Sequence, residues 1–276
     1  MNLSKYFENW PVNDVAAAVV GSTEAEHGDV DRIFHLMSVT KLFSAYAFLM
    51  AVEEGVFELD QPAGPEGSTV RHLLAHASGV GFASREQERP LGERRIYSSA
   101  GFEWLADILE EETGIAMRHY ARDGVFRPLG MDDTAIYGSP GHDGRSTVAD
   151  MEKFARELLQ PTLLHESTVR EAFTPQFPEL RGLVPGYGMQ KPCPWGLGFE
   201  IRGRKAPHWM GTGVPEETVG HFGMAGTYLW AVPSWSDHEL AGTAAICLTN
   251  RQFGNWAKPL WEDTNTSLAD ELLTLK

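Results

Sequence analysis

Ser38 and Lys41 stand three residues apart in Ser38-Val39-Thr40-Lys41, at the head of a stretch that is apolar almost without break to Glu53. If that stretch is a helix, the spacing places both side chains on one face within a single turn. A lysine among apolar neighbours must either find a carboxylate or give up its proton, because desolvation disfavours the ammonium form. The positive potential at a helix N-terminus acts in the same direction. A neutral Lys41 is a base able to take the proton of Ser38, whose hydroxyl is otherwise a weak nucleophile. Serine and lysine meet at this spacing by chance in a chain of this size, so the pair gains weight only from its place at the start of an apolar helix.

Other polar residues carry less chemistry. No Gly-x-Ser-x-Gly elbow occurs, which disfavours an α/β-hydrolase. His165-Glu166 lacks the second histidine that a helical zinc site needs, and Asp132-Asp133 and Glu110-Glu111-Glu112 read as solvated acidic faces. Gly211-Thr212-Gly213 lies in a polar connection, Ser236-Asp237-His238 in a hairpin turn, and His76 reads as a satisfied, partly buried histidine that fixes a loop. Cys193 and Cys247 are far apart and have no metal-ligand spacing, so two buried thiols are expected and neither a metal nor an organic cofactor is indicated.

The elements that must position Ser38 and Lys41 follow from apolar patterning. Val15 to Val20 reads as a buried strand followed by a turn, with a short return strand through Ile33-Phe34. The apolar helix over 38–53 is stopped by Gly55. From 57 to 185 helical patterns dominate, among them 100–112, which stops at Gly114, and 150–159. Extended patterns return at Trp195–Ile201, Thr218–Gly223, Gly226–Pro233 and Leu240–Thr249, and a closing helix runs from about 256 to 273. Consecutive strands with short connections favour an antiparallel sheet. The fold class is therefore α/β (α+β): an antiparallel sheet flanked by helices, formed by 1–56 and 186–276, packed on a mostly helical lobe, 57–185.

Composition narrows the partners. With 276 residues, 42% hydrophobic and 22% charged, the chain is an ordinary globular protein, and its net charge of −15 disfavours nucleic acid and anionic membrane surfaces. The first eleven residues hold no apolar run of secretory-signal length, and the longest apolar stretch, 42–52, is about half of the ~20 residues that span a bilayer. A cytoplasmic protein acting on a small molecule is expected.

Four stretches in order resemble the serine β-lactamase and penicillin-binding protein superfamily, in its class C-like branch with D-alanyl-D-alanine carboxypeptidases, esterases and D-amino-acid peptidases. They are Ser38-Val-Thr-Lys41, Arg71-His-Leu-Leu-Ala-His-Ala-Ser-Gly79, Tyr97-Ser-Ser-Ala-Gly-Phe102 and Gly220-His-Phe-Gly-Met-Ala-Gly226, supported by Gly55-Val-Phe-Glu-Leu-Asp60 and Pro128-Leu-Gly-Met131. The resemblance implies that Ser38 is the acylated nucleophile, Lys41 the proton acceptor and Tyr97 the shuttle to the leaving group. It further implies an oxyanion hole from the N–H groups of Ser38 and Met224, with Gly223 in a strand that a substrate backbone approaches closely. A Lys–Tyr pair can in principle trade one proton near neutrality.

Two departures bear on substrate. Ser99 stands where the family usually has asparagine, and its hydroxyl offers a substrate amide less reach and one fewer donor. His221 and Phe222 stand in place of lysine and threonine, so an imidazole able to hydrogen-bond to Tyr97 replaces an ammonium, and a carboxylate-binding hydroxyl is lost. An uncharged small ester or amide is the expected substrate. A genuine β-lactamase or D-alanyl-D-alanine carboxypeptidase, and a non-turnover penicillin-binding sensor or scaffold, are the alternatives.

Overall fold

The structure, a computed structural model, describes residues 1–275. Its strands are β1 (Val15–Val20), β2 (Ala25–His27), β3 (Phe34–His35), β4 (Ala135–Ile136), β5 (Gly144–Ser146), β6 (Gly182–Val184), β7 (Gly188–Gln190), β8 (Glu200–Ile201), β9 (Val219–Gly223), β10 (Thr227–Val232) and β11 (Thr243–Thr249). Its helices are α1 (Ser4–Phe7), α2 (Thr40–Glu53), α3 (Val70–Leu74), α4 (Ala100–Thr113), α5 (Met117–Ala121), α6 (Val148–Leu159), α7 (Glu166–Ala172) and α8 (Ala257–Thr274).

An antiparallel six-stranded sheet in the order β2-β1-β11-β10-β9-β8 joins the two ends of the chain, with Val15 opposite Thr249 and Val20 opposite Ala244. Its strands β9, β10 and β11 are buried at every residue because both faces are covered. Ala16, Ala18, Leu229, Ile246 and Leu248 point into a core shared with α2 and α6, while Ala17, Tyr228, Trp230 and Cys247 point into a second core under α8. The period-2 alternation of a strand thus sorts one apolar run into two cores. The antiparallel sheet with flanking helices agrees with the fold class read from the sequence.

Three elements differ from expectation. The return strand through Ile33-Phe34 does not join this sheet: β2 pairs with β1, and Phe34–His35 belongs to a small sheet with β5 and β4. Of Trp195–Ile201 only β8 is strand, because Gly196 and Gly198 are wedged against Ala172 and Ala45 and leave the ladder. The hairpin of β6 and β7 lies in a Gly- and Pro-rich segment with no alternating pattern to reveal it. Helix α6, in the segment assigned to the helical lobe, packs on β1, β10 and β11, and one continuous core runs through both segments.

Helix α2 is the axis of the molecule. Every residue from Thr40 to Ala51 is buried, as its apolar circumference requires. It ends where the sequence indicates: Val56 N–H donates to the Ala51 carbonyl and Gly55 N–H to that of Val52, a Schellman closure that Gly55 permits at φ 73°. Cys193 and Cys247 are free and buried, as expected.

Candidate active site

Ser38 does not lie inside α2. It sits in a 3-10 turn, Met37–Val39, that feeds the helix, and Met37 is held at φ 48°, a left-handed conformation unusual for a residue with a side chain. The Thr40 hydroxyl donates to the Met37 carbonyl at 2.6 Å and pins the turn. Lys41, in the first turn of α2, is fully buried.

The Lys41 amine has no carboxylate partner among the described residues. Its Nζ donates to Ser99 Oγ at 2.9 Å and to the Gly141 carbonyl at 2.7 Å, and lies 4.6 Å from the Tyr97 ring centroid. Burial pulls its pKa down to about 7, against a smaller upward pull from Glu103. Gly141 carries no side chain for a local reason: a Cβ there would come 2.8 Å from that of Ser99. The Ser44 hydroxyl secures the same turn through the Pro140 carbonyl at 2.7 Å.

Tyr97 precedes α4, and its hydroxyl lies within reach of Ser38. Burial pushes the phenol well above its ordinary value. The Lys41 amine lies over the Tyr97 ring, and Ser38 pulls the phenol down by less than burial pushes it up.

His221 on β9 is buried, and its Nδ1 donates to the Phe222 carbonyl at 2.7 Å. A carbonyl only accepts, so Nε2 is left as a bare acceptor in the neutral ring. Burial holds the pKa at about 4. The expected hydrogen bond to Tyr97 is not formed; the rings pack with centroids 5.5 Å apart. His76 is fully buried rather than partly, packs with its ring tilted and 4.8 Å from that of Tyr97, and accepts the Ser98 N–H on Nδ1, but its Nε2 has no partner among the described residues.

Ser99, expected to contact substrate, is not among the residues that line the cavity around Ser38. Its hydroxyl is turned to Lys41, and Ser98 Oγ instead accepts the Gly101 N–H at the start of α4. Gly223 is small for a reason internal to the fold: a Cβ would fall 2.0 Å from the Leu36 carbonyl. Among the described residues, no backbone carbonyl accepts from the N–H of Ser38 or of Met224.

Ser38, Tyr97, His221, Phe222 and Met224 share a cavity of about 320 Å³ with Phe82, Trp195, Glu200 and the hairpin tip Val184-Pro185. Phe82 and Met224 are exposed at it, whereas Phe199, Trp209 and Trp230 are core. Glu200 was not legible as a cavity residue, because a lone acid in an apolar strand gives no sign of its partners. It accepts from Lys205 at 2.7 Å, His208 at 2.9 Å and the Trp209 indole at 2.8 Å. Burial alone would raise its pKa, but Lys205 and His208 hold it well below the carboxylate range. His208 accepts the Met210 N–H on Nδ1, and burial keeps it near pKa 4, so Glu200 and Lys205 cancel and no free cation faces the cavity from this cluster. No group of residues able to hold a metal occurs among the described residues, and no helix there is long and apolar enough to cross a membrane.

The beta-lactamase family model matches residues 7–268. The chain belongs to the beta-lactamase family. A solved structure of a beta-lactamase from Mycobacterium bovis has a TM-score of 0.93 at 45% identity, covering 98% of this chain and 99% of that one. A simvastatin synthase variant from Aspergillus terreus shares the fold at a TM-score of 0.78 and 15% identity, over 99% and 98% of the two chains. In sequence, this beta-lactamase-family chain is 26% identical to penicillin-binding protein 4* of Bacillus subtilis over 42% of its length and 33% of that protein's. It is 23% identical to lovastatin esterase of Penicillium rubens, over 47% and 46%. The chain spans between a third and a half of the length of the curated relatives it matches.

Proposed function

We propose that the chain is a serine hydrolase that forms an acyl-Ser38 intermediate on a small, uncharged ester or amide with an apolar acyl group. One observation carries this reading: the buried Lys41 amine, beside Ser38 and Tyr97, is held by a hydroxyl and a carbonyl and by no acid. As Ser38 Oγ bonds to the substrate carbonyl carbon, its proton passes to the neutral amine. The resulting oxyanion lies where the N–H groups of Ser38 and Met224 can donate; one such donor is typically worth about 3–4 kcal/mol. When the carbon–leaving-group bond breaks, the Tyr97 hydroxyl protonates the leaving atom and is reprotonated from Lys41. Water then attacks the acyl group and gives its proton to the restored amine, which passes it to Ser38 Oγ as the bond to the acyl carbon breaks.

The substrate class rests on what surrounds Ser38. Phe82, Trp195, Phe222, Val184 and Pro185 supply apolar walls, and the Glu200–Lys205 pair leaves no unpaired ammonium for a carboxylate. At roughly 30 Å³ per water, 320 Å³ holds about ten water-sized groups, which suits a compact acyl ester. The second reading, a true β-lactamase, is favoured by the 45% identity to the Mycobacterium bovis protein of that name. Turnover of nitrophenyl butyrate and of a chromogenic cephalosporin by wild type and Ser38→Ala separates the two. The ester is expected to be hydrolysed much the faster, and only with Ser38 present. Ester turnover that persists in the variant removes the mechanism, and faster cephalosporin turnover replaces the substrate. A stable penicillin adduct by intact mass, with no turnover, makes the protein a sensor.

A further inference from the structure

The Lys41 amine is tied to the surface by a chain of hydrogen bonds. Gly141, whose carbonyl accepts from Lys41 at 2.7 Å, donates its own N–H to Ser139 Oγ at 3.2 Å. The Ser139 hydroxyl in turn donates to Glu103 Oε1 at 2.6 Å. Glu103 is half-buried in the first turn of α4, where the helix N-terminus favours a carboxylate. The turn is further fixed by Ser139 N–H donating to Asp143 Oδ2 at 2.8 Å and by the Ser44 hydroxyl on the Pro140 carbonyl. A carboxylate, a hydroxyl and a peptide unit thus form one continuous path from half-exposed acid to buried base.

We propose that Glu103, acting through Ser139 and the Gly141 carbonyl, is a positioning residue that aims the Lys41 amine and whose negative charge sets the pH above which that amine is free to act. The inference rests on Lys41 being the base. The other groups around Lys41 supply no comparable charge. Tyr97 stays protonated, His76 and His221 stay neutral through burial, and Glu200 and Lys205 are paired with each other. Asp143 and His142 lie in the same turn as Ser139, 3.7 Å apart, and Glu103 is the one carboxylate whose charge reaches Lys41 to raise its proton affinity. Removing that charge leaves burial unopposed, so the amine loses its proton at lower pH.

The experiment is the pH profile of kcat/KM for nitrophenyl butyrate in wild type, Glu103→Gln and Ser139→Ala. Wild type is expected to rise through a midpoint near 7. Glu103→Gln should keep at pH 6 at least about twofold more of its plateau activity than wild type does. Its profile should also be less sensitive to salt, since a half-exposed charge is screened. Ser139→Ala, which releases the carboxylate from the turn, should move the limb in the same direction while lowering the plateau. A titration of the Lys41 ε-carbon by NMR in the Ser38→Ala protein, with and without Glu103→Gln, reads the same shift without turnover. Superimposable profiles and titrations in a wild type that does show the limb overturn the role of Glu103 alone. A wild-type profile flat between pH 5 and 9, with Lys41 charged throughout, removes the base itself and the proposal with it.

Discussion

At the scale of single residues, the site turns on one lysine kept where lysines are unstable. Burial brings Lys41 from 10.5 to about 7, so between those values the unfolded chain binds a proton that the folded protein does not. Stability supplied by this position therefore rises with pH across that window, by up to about 1.4 kcal/mol per pH unit, and the penalty is fully present below it. Lys41→Met keeps the volume and discards the charge. It should abolish hydrolysis, yet raise stability at pH 7 by about 0.5–2 kcal/mol, a trade common at functional positions. Urea denaturation beside the ester assay checks both halves, and a Lys41→Met protein less stable than wild type would mean that the amine is not a liability to the fold.

At the scale of elements, β8 and the connection to β9 build the floor of the cavity around a fully desolvated ion pair. Glu200 and Lys205 have side chains 1% and 0% exposed, so removing one partner strands the other in a medium that cannot solvate it. Glu200→Ala should destabilise the protein by about 3–5 kcal/mol. The double variant Glu200→Leu/Lys205→Met should recover most of that loss, because an apolar pair of similar size needs no compensation. Chemical denaturation of the two variants tests this; equal losses would show that the Trp209 and His208 hydrogen bonds, and not the charges, hold the floor.

At the scale of the whole molecule, acids from distant parts of the chain meet where the sheet edge faces a helix. Burial, and then the neighbouring Glu26 on edge strand β2, raises Glu152 on α6 from 4.5 to about 7. The folded state therefore binds a proton that the unfolded chain releases between those values, and this position favours folding less as pH rises from about 4.5 to 7. Thermal unfolding should show a decline in stability from pH 5 to 7.5 to which this position contributes. Glu152→Gln should flatten it, and an unchanged slope would assign the decline to other groups.

The sequence by itself determined the elements whose information is local. The all-round apolar pattern of 40–53, the glycine that closes it, the strands 219–249 and the spacing of Ser38 and Lys41 were legible because each depends on neighbours within a few positions. Tertiary structure decided what depends on residues far apart in the chain. Ser99 faces Lys41 and not the cavity because Gly141, 42 positions away, leaves room and offers its carbonyl. Tyr97 remains a phenol because the fold buries it completely and desolvation disfavours the phenolate. The neutrality of the cavity floor required Glu200 to meet Lys205 with water excluded. Protonation states follow from desolvation and through-space charge, and neither is written in linear order.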